Sequence, residues 1–313
     1  MKKLTHFFAI EHFFEERHAF EKAVRIVPFF YYVLFFIAFQ RLEGLNAIFT
    51  QGHGDFMARW PIFWAAHVDY QHAVTGIVVG FVFAALIGAF CWRYRIARVA
   101  AFGGVLQYHA FLSSFGGPQH QLDLWLWTAF LLIFLPDIRI KQAETSDDRK
   151  TFLLVFWTIQ AFVLLTYSMS GFLKLYEALM QYLNGQAHAF SFDALALHAS
   201  TLLLRMHETV PLAPLVINHP FLGWLPFIGV LCLELFSFFI AFKPSLHRQW
   251  ALGLVLFHIG TYLVMRAIFV SPSILLMILF FESPFQKQNY SWRDSWRDYK
   301  KFFLSAFCGG KAL

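Results

Sequence analysis

Apolar residues along this chain gather into runs longer and less interrupted than the buried stripe of a soluble helix. Eight such runs can be read, at Arg25 to Gln40, Ala73 to Trp92, Ala97 to Phe115, Leu122 to Pro136, Phe152 to Tyr176, Phe221 to Phe242, Trp250 to Phe269 and Pro272 to Phe285. They approach the roughly 17–25 residues needed to cross about 30 Å of hydrocarbon, the shorter ones with help from their flanks. None alternates with period two as a barrel strand would, and an open strand in lipid would strand backbone groups at several kcal/mol each. The pattern predicts an all-α fold, a polytopic membrane helix bundle of about eight spans with an outer re-entrant or interfacial helix. Residues 1–285 make the transmembrane domain, and 286–313 a cytoplasmic amphipathic basic tail.

Composition agrees with this class. Of 313 residues 58% are hydrophobic, 20% aromatic and only 14% charged, against about 25% charged in soluble domains. Met1 to Arg25 is charged and amphipathic rather than a short apolar leader, so the N-terminus is expected to be retained. Cys91, Cys232 and Cys308 show no CxxC spacing, and neither a disulfide nor a thiolate metal site is expected.

Lysine and arginine set the orientation. They cluster before the first run (Lys2, Lys3, Arg17, Lys22, Arg25) and after the second (Arg93, Arg95, Arg98). Further clusters follow the fourth (Arg139, Lys141, Arg149, Lys150), the sixth (Lys243, Arg248) and the eighth (Lys287, Arg293, Arg297, Lys300, Lys301, Lys311). Every even-numbered boundary is basic, which puts both termini in the cytoplasm of a multi-pass plasma (inner) membrane protein. The net charge of +6 is then a flank facing anionic membrane lipid, not a nucleic-acid surface. Two outer connections are long. Leu42 to Gln71, with Trp60, Pro61, Trp64, His53 and Asp55, reads as an interfacial helix at headgroup depth. Phe192 to His207 reads as a re-entrant or surface helix that would cover a site below it.

Polar residues inside the runs carry the chemistry, because ionisable groups in a bilayer are expensive to keep. Tyr167, Ser170, Gly171 and Lys174 are spaced i, i+3, i+4, i+7 and share one helix face. Tyr108 and His109 lie in the outer third of the third run, and Gln119-His120 opens the fourth, where helix N-termini favour anions. His258, Tyr262 and Arg266 share a face of the seventh run, and Glu234 sits near the middle of the sixth. Each has a plainer reading. Lys174 and Arg266 could snorkel to the interface, His120 could cap its helix, His109 and His258 could be packing residues, and a structural partner such as His258 could satisfy Glu234. Tyr31, Tyr32, Tyr70 and His72 read as interfacial. No HxxxH or HExxH pair occurs on one helix, so no metal is expected.

Three segments occur in a telling order: Gln119-His120 with LDLWLWTAFLLIFLPD, then Tyr167 to Leu175, then FHIGTYLVM with Phe269 to Met277. Together with the acidic LELF around Glu234 and the later His247-Arg248, they make the chain resemble the horizontally transferred transmembrane (HTTM) domain family, that of the vitamin K-dependent γ-glutamyl carboxylase. The resemblance covers roughly Val27 to Phe285. It implies a vitamin K-type hydroquinone (menaquinol) as cofactor, with Lys174 as the base and Gln119 and His120 assisting deprotonation on the outer side. It differs from the family pattern in having Gln119 for asparagine and Leu173 for a second lysine. The large extra-membrane domain that helps the carboxylase hold its peptide has no counterpart after the last run, so a separate protein partner supplying a substrate-binding domain is expected.

Two functions follow as expectations. One is a quinol-dependent, carboxylase-like membrane enzyme, of the epoxidase or lyase type, with Lys174 and His120 catalytic. Gln119, His109, Tyr167, Ser170, Glu234, His258 and Tyr262 would then bind substrate. The other is a non-catalytic membrane subunit, or a lipid- or quinone-binding scaffold of a larger complex.

Overall fold

The computed structural model describes residues 16–51, 56–115, 120–137, 146–185, 190–206, 210–286, 293–294 and 297. His53, Asp55, Gln119, His207, Cys308 and most of the basic tail lie outside them. The described residues are all-helical, without a strand. The helices are α1 (Glu16–Glu43), α2 (Leu45–Gln51), α3 (Tyr70–Cys91), α4 (Arg95–Ser113), α5 (Asp123–Leu132) and α6 (Ser146–Leu183). They continue with α7 (Ala194–Met206), α8 (Ala213–Asn218), α9 (Pro220–Ile240), α10 (His247–Met265) and α11 (Val270–Leu276), which runs into a π turn at Met277–Phe281.

All eight apolar runs are helical over most of their length. Four helices, α1, α3, α6 and α9, are long and apolar enough to cross a membrane. Helix α5 has 10 residues and rises only about 15 Å, half of a hydrocarbon layer. The connection at Leu42 to Gln71 is not one interfacial helix. It holds α2, a stretch at 56–59 without regular secondary structure, a cis Trp60–Pro61 bond and a 3₁₀ turn at Phe63–His67. Proline lacks an N–H for the helical ladder, so a continuous helix cannot run through Pro61. The aromatic anchors are nonetheless outward-facing: Trp60, Phe63 and Trp64 are exposed while Ile62 and Ala65 are buried.

The chain divides into two compact units, one comprising Glu15–Ile159 and the other built on Gln160–Leu313. In the first, α3 packs against α1 and α4, and α4 against α5. Close approach there depends on glycine: a Cβ at Gly104 would meet the Ala84 Cβ at 2.6 Å, and one at Gly88 would meet the Tyr31 ring at 2.8 Å. Tyr31 is therefore a core residue between helices, not an interfacial one. Asp69 caps α3, accepting from the N–H groups of Gln71 and His72, and the His72 ring beside it holds its carboxyl below the ordinary range. Arg98, placed by sequence in a cytoplasmic flank, is fully buried. Its guanidinium donates to the carbonyls of Trp92 (2.8 Å), Arg93 (3.0 Å) and Leu135 and to Asp137 (3.1 Å).

In the second unit α9 packs on α10, and α7 and α8 lie against both. Ala199, Val210 and Ala213 form a small core with Leu203, Ile217 and Val264 that fastens α7 to its neighbours. The loop entering α7 is tied to α9, where the Trp224 indole donates to the Phe190 carbonyl at 3.0 Å. The other end of the unit is closed by a polar network. The Gln160 amide donates to the Leu279 carbonyl at 2.5 Å, His247 contacts Ser283 at 2.8 Å, and Arg248 donates to the Phe281 carbonyl at 2.9 Å. Both of those carbonyls belong to the π turn, whose i→i+5 pattern releases backbone oxygens from the usual ladder.

Candidate functional site

The face spelled by Tyr167, Ser170, Gly171 and Lys174 meets α9 and α10. Gly171 sets the distance, since a Cβ there would lie 2.8 Å from the Leu235 nitrogen and 2.9 Å from the Glu234 Cβ. The backbones of α6 and α9 touch at this point. Ser168, nearby on α6, accepts from the Phe238 N–H at 2.8 Å and lies 3.1 Å from the carbonyl oxygens of both Glu234 and Leu235, to which its hydroxyl donates. Inserting a hydroxyl into the α9 ladder couples the two helices at the turn that bears Glu234.

Glu234 is 1% exposed, so its carboxylate needs a partner. Lys174 supplies it: Nζ donates to both carboxylate oxygens, at 2.6 and 2.7 Å, and Ser170 donates to Oε1 at 3.4 Å. The ammonium also sits 5.2 Å from the centre of the Phe257 ring, where the negative π face favours a cation. Behind the pair, the Tyr167 hydroxyl lies 2.7 Å from His258 Nε2, and the His258 ring is packed 5.0 Å from both Phe257 and Phe269. The partner of Glu234 is thus Lys174, while His258 belongs to Tyr167.

Lys174 keeps 37% of its side chain exposed because it also borders a cleft of about 980 Å³. The walls are mainly apolar, with Phe227, Leu233, Phe257 and Phe269 prominent, and polar groups enter from Glu177 and Gln181 on α6 and His198 and Thr201 on α7. The segment read as a helix at Phe192 to His207 is helical as α7, and it lines this cleft. The volume is at the top of the roughly 300–1,000 Å³ span of ligand sites, which are likewise apolar with few polar anchors. Tyr262, 45% exposed, does not line the cleft. Helix α10 ends at Arg266, which caps it in the left-handed conformation at φ 55°.

The remaining site candidates lie in the first unit. His109 on α4 and His120 before α5 share the Asp123 carboxylate. His109 Nε2 is 2.5 Å from Oδ1 and His120 Nδ1 is 2.9 Å from Oδ2. Asp123 was not picked out by sequence, although the His120-x-x-Asp123 spacing at a helix start is the signal that finds it. Gln119 lies outside the described residues. Among the described residues no group of three or more His, Cys, Asp or Glu is arranged to hold a metal ion.

The contact at Gly171 yields a direct expectation. Gly171→Ala forces α9 away from α6 and should lower stability by about 1–3 kcal/mol, read as a fall in the unfolding midpoint in detergent. Gly80, whose Cβ would meet nothing within 4 Å, is the control, and Gly80→Ala should be close to neutral.

Comparison of the chain with family models, with curated proteins and with solved structures gives no match.

Proposed function

We propose that this chain is a multi-pass plasma-membrane enzyme of the HTTM type that withdraws a proton from a lipid-soluble quinol. In this reading the eight apolar helices cross or enter the bilayer, both termini face the cytoplasm, and the cleft bordered by α7 opens toward the outer leaflet. The observation that supports it best is Lys174, which lines an apolar cleft while its ammonium is paired with the buried Glu234 behind it.

The donor set suits a hydroquinone. Its ring and isoprenoid tail match apolar walls, and a ring hydroxyl matches a paired ammonium and carboxylate. Bound there, a hydroquinone supplies a weakly acidic hydroxyl and, once deprotonated, an electron-rich anion that reacts with oxygen. Lys174 meets that hydroxyl, and Glu234, in contact with Nζ through both oxygens, takes up the proton that Lys174 passes on. The pair then holds an ammonium beside a neutral carboxyl, and the ammonium stabilises the phenolate it faces in a low-dielectric cleft. Ser170 holds Glu234 from the α6 side, while Tyr167 and His258 hydrogen-bond to one another between α6 and α10.

Lys174→Arg is the decisive variant. Arginine preserves a cation for Glu234 but does not relay protons. Oxygen-dependent menaquinol oxidation by protein in lipid nanodiscs should fall at least ~10²-fold, with menaquinol binding retained. Full activity in that variant would overturn the reading. A scaffold role is favoured by one observation, that Tyr167, Ser168, Ser170, Lys174 and Glu234 all find partners within the protein. A scaffold would bind quinol or its partner chain equally well with arginine at 174 and would turn over none in the native form.

A further inference from the structure

The cleft beside Lys174 runs along α9 and α10, and the register of those helices orders its lining. They are antiparallel: the Trp250 indole donates to the Ser237 hydroxyl at 2.9 Å, and a Cβ at Gly253 would meet the Leu233 side chain at 3.1 Å. Helix α6 is antiparallel to α9 as well, with Ser168 bonded to the Phe238 N–H and Lys174 to Glu234. Lys174, Leu233 and Gly253 therefore share one end of the cleft. Helix α7 stands at the other, where the Leu195 side chain lies 3.1 Å from the place of a Gly223 Cβ and Ala199 packs in the core that includes Val264. Gln181, two turns or about 10 Å beyond Lys174 on α6, joins His198 and Thr201 of α7 at that end. Between these polar stations α9 and α10 contribute Phe227, Gly229, Val230, Phe257 and Gly260, and Thr261, whose hydroxyl is turned to the His258 carbonyl.

Two residues of that stretch are glycines that helix packing does not require. Glycine is a poor helix former, so one kept inside a helix ordinarily answers a turn or a close approach. In this unit Gly171, Gly223 and Gly253 answer close approaches, the nearest neighbour of a Cβ lying at 2.8, 2.6 and 3.1 Å, and Gly185 takes a positive φ of 66°. Gly229 and Gly260 do neither, since a Cβ on either would meet nothing within 4 Å. Both border the cleft, so the space left by their missing side chains is cleft volume. A larger residue at either position would reach into the passage that joins Lys174 to α7.

We infer that Gly229 and Gly260 are specificity-determining residues. They keep open a groove for the chain of an amphiphilic guest whose polar end meets Lys174 and whose chain trails over both glycines toward α7. The inference rests on the reading of the cleft as a quinol site, which identifies the guest, and adds the course of its chain and the residues that select for it. The direction follows from the packing. Leu233 lies against Gly253 and closes the end that holds Lys174, so a chain attached to a head there has only the passage toward α7 to follow.

The test uses the whole protein in lipid nanodiscs with two quinols, menaquinol and menadiol, the second being the same ring without the chain. The native protein should prefer menaquinol. Gly229→Leu and Gly260→Leu should unfold at the native midpoint, because the new side chains enter open space, and the ratio of the two kcat/KM values should fall at least ~10-fold. Gly80→Leu, away from the cleft, should keep the native ratio. An unchanged ratio in the cleft variants, or an equal fall for both quinols, would overturn the inference. A second arm needs no turnover. A short-chain menaquinone carrying a diazirine at the chain end, irradiated with the native protein, should label Gln181, His198 or Thr201 and should lose that labelling in Gly260→Leu. Labelling at Leu233 or Leu256 instead, or unaltered labelling in the variant, would overturn it. If the native protein turns over no quinol yet is labelled beside α7 in this way, the enzyme reading falls and the chain groove stands.

Discussion

Replacing Arg98 with methionine is expected to cost about 3–5 kcal/mol, among the largest effects any single side chain in the first unit can have. The guanidinium is 0% exposed and is the donor for the carbonyls of Trp92, Arg93 and Leu135. Methionine fills similar volume but donates nothing, and each carbonyl left buried without a donor carries a desolvation penalty of about 1–3 kcal/mol. Asp137 suffers less, being 55% exposed and still accepting from the Arg95 N–H at 2.7 Å. Asp137→Asn should therefore cost under about 1 kcal/mol. Lysine at 98 should be intermediate, because an ammonium cannot span the carbonyls on both sides as a planar fork does. Unfolding midpoints in detergent would rank the three variants, and a methionine variant within about 1 kcal/mol of the native protein would show that the clamp is dispensable.

The second large effect is an asymmetry. Lys174→Met leaves a carboxylate that is 1% exposed with no cation, and should cost about 3 kcal/mol. Glu234→Leu leaves an ammonium with 37% of its side chain exposed, able to turn into the cleft, and should cost about 1–2 kcal/mol. The double variant Lys174→Met with Glu234→Leu should be more stable than Lys174→Met alone, giving a coupling of at least about 1 kcal/mol in a double-mutant cycle. Additive losses would mean that the two groups do not depend on one another. A double variant that is stable yet inactive would separate the contribution of the pair to folding from its contribution to chemistry.

Periodicity made half of this site legible. The i, i+3, i+4, i+7 spacing of Tyr167, Ser170, Gly171 and Lys174 needs only helix geometry to put them on one face, and the structure turns that face toward α9 and α10. Glu234 was equally recognisable as a carboxyl that must be paired. Its partner was not, since Lys174 lies 60 positions away and nothing local in sequence selects it over His258. Arg98 was misread for a related reason. A basic residue beside other basic residues resembles a solvated flank, and nothing local in sequence shows that Leu135 and Asp137, just after α5, return to meet it. The segment from Leu42 to Gln71 has the residue types of an interfacial helix, but Pro61 breaks the ladder and leaves two short pieces. Asp123 was hidden by its surroundings, a single acid in a tryptophan-rich run whose second histidine comes from another helix.

The π turn at Met277–Phe281 has a mechanical consequence for the second unit. Its released carbonyls grip Gln160 and Arg248, so sliding α11 along its axis would break both attachments at once. Lys174 lies 14 positions further along α6, about 21 Å away, where α6 is tied to α9 by the pair with Glu234 and borders the cleft on its other side. If the cleft takes a lipid-soluble quinol as proposed, that guest is expected to enter beside α7, which lines it, and not at the end that the π turn holds.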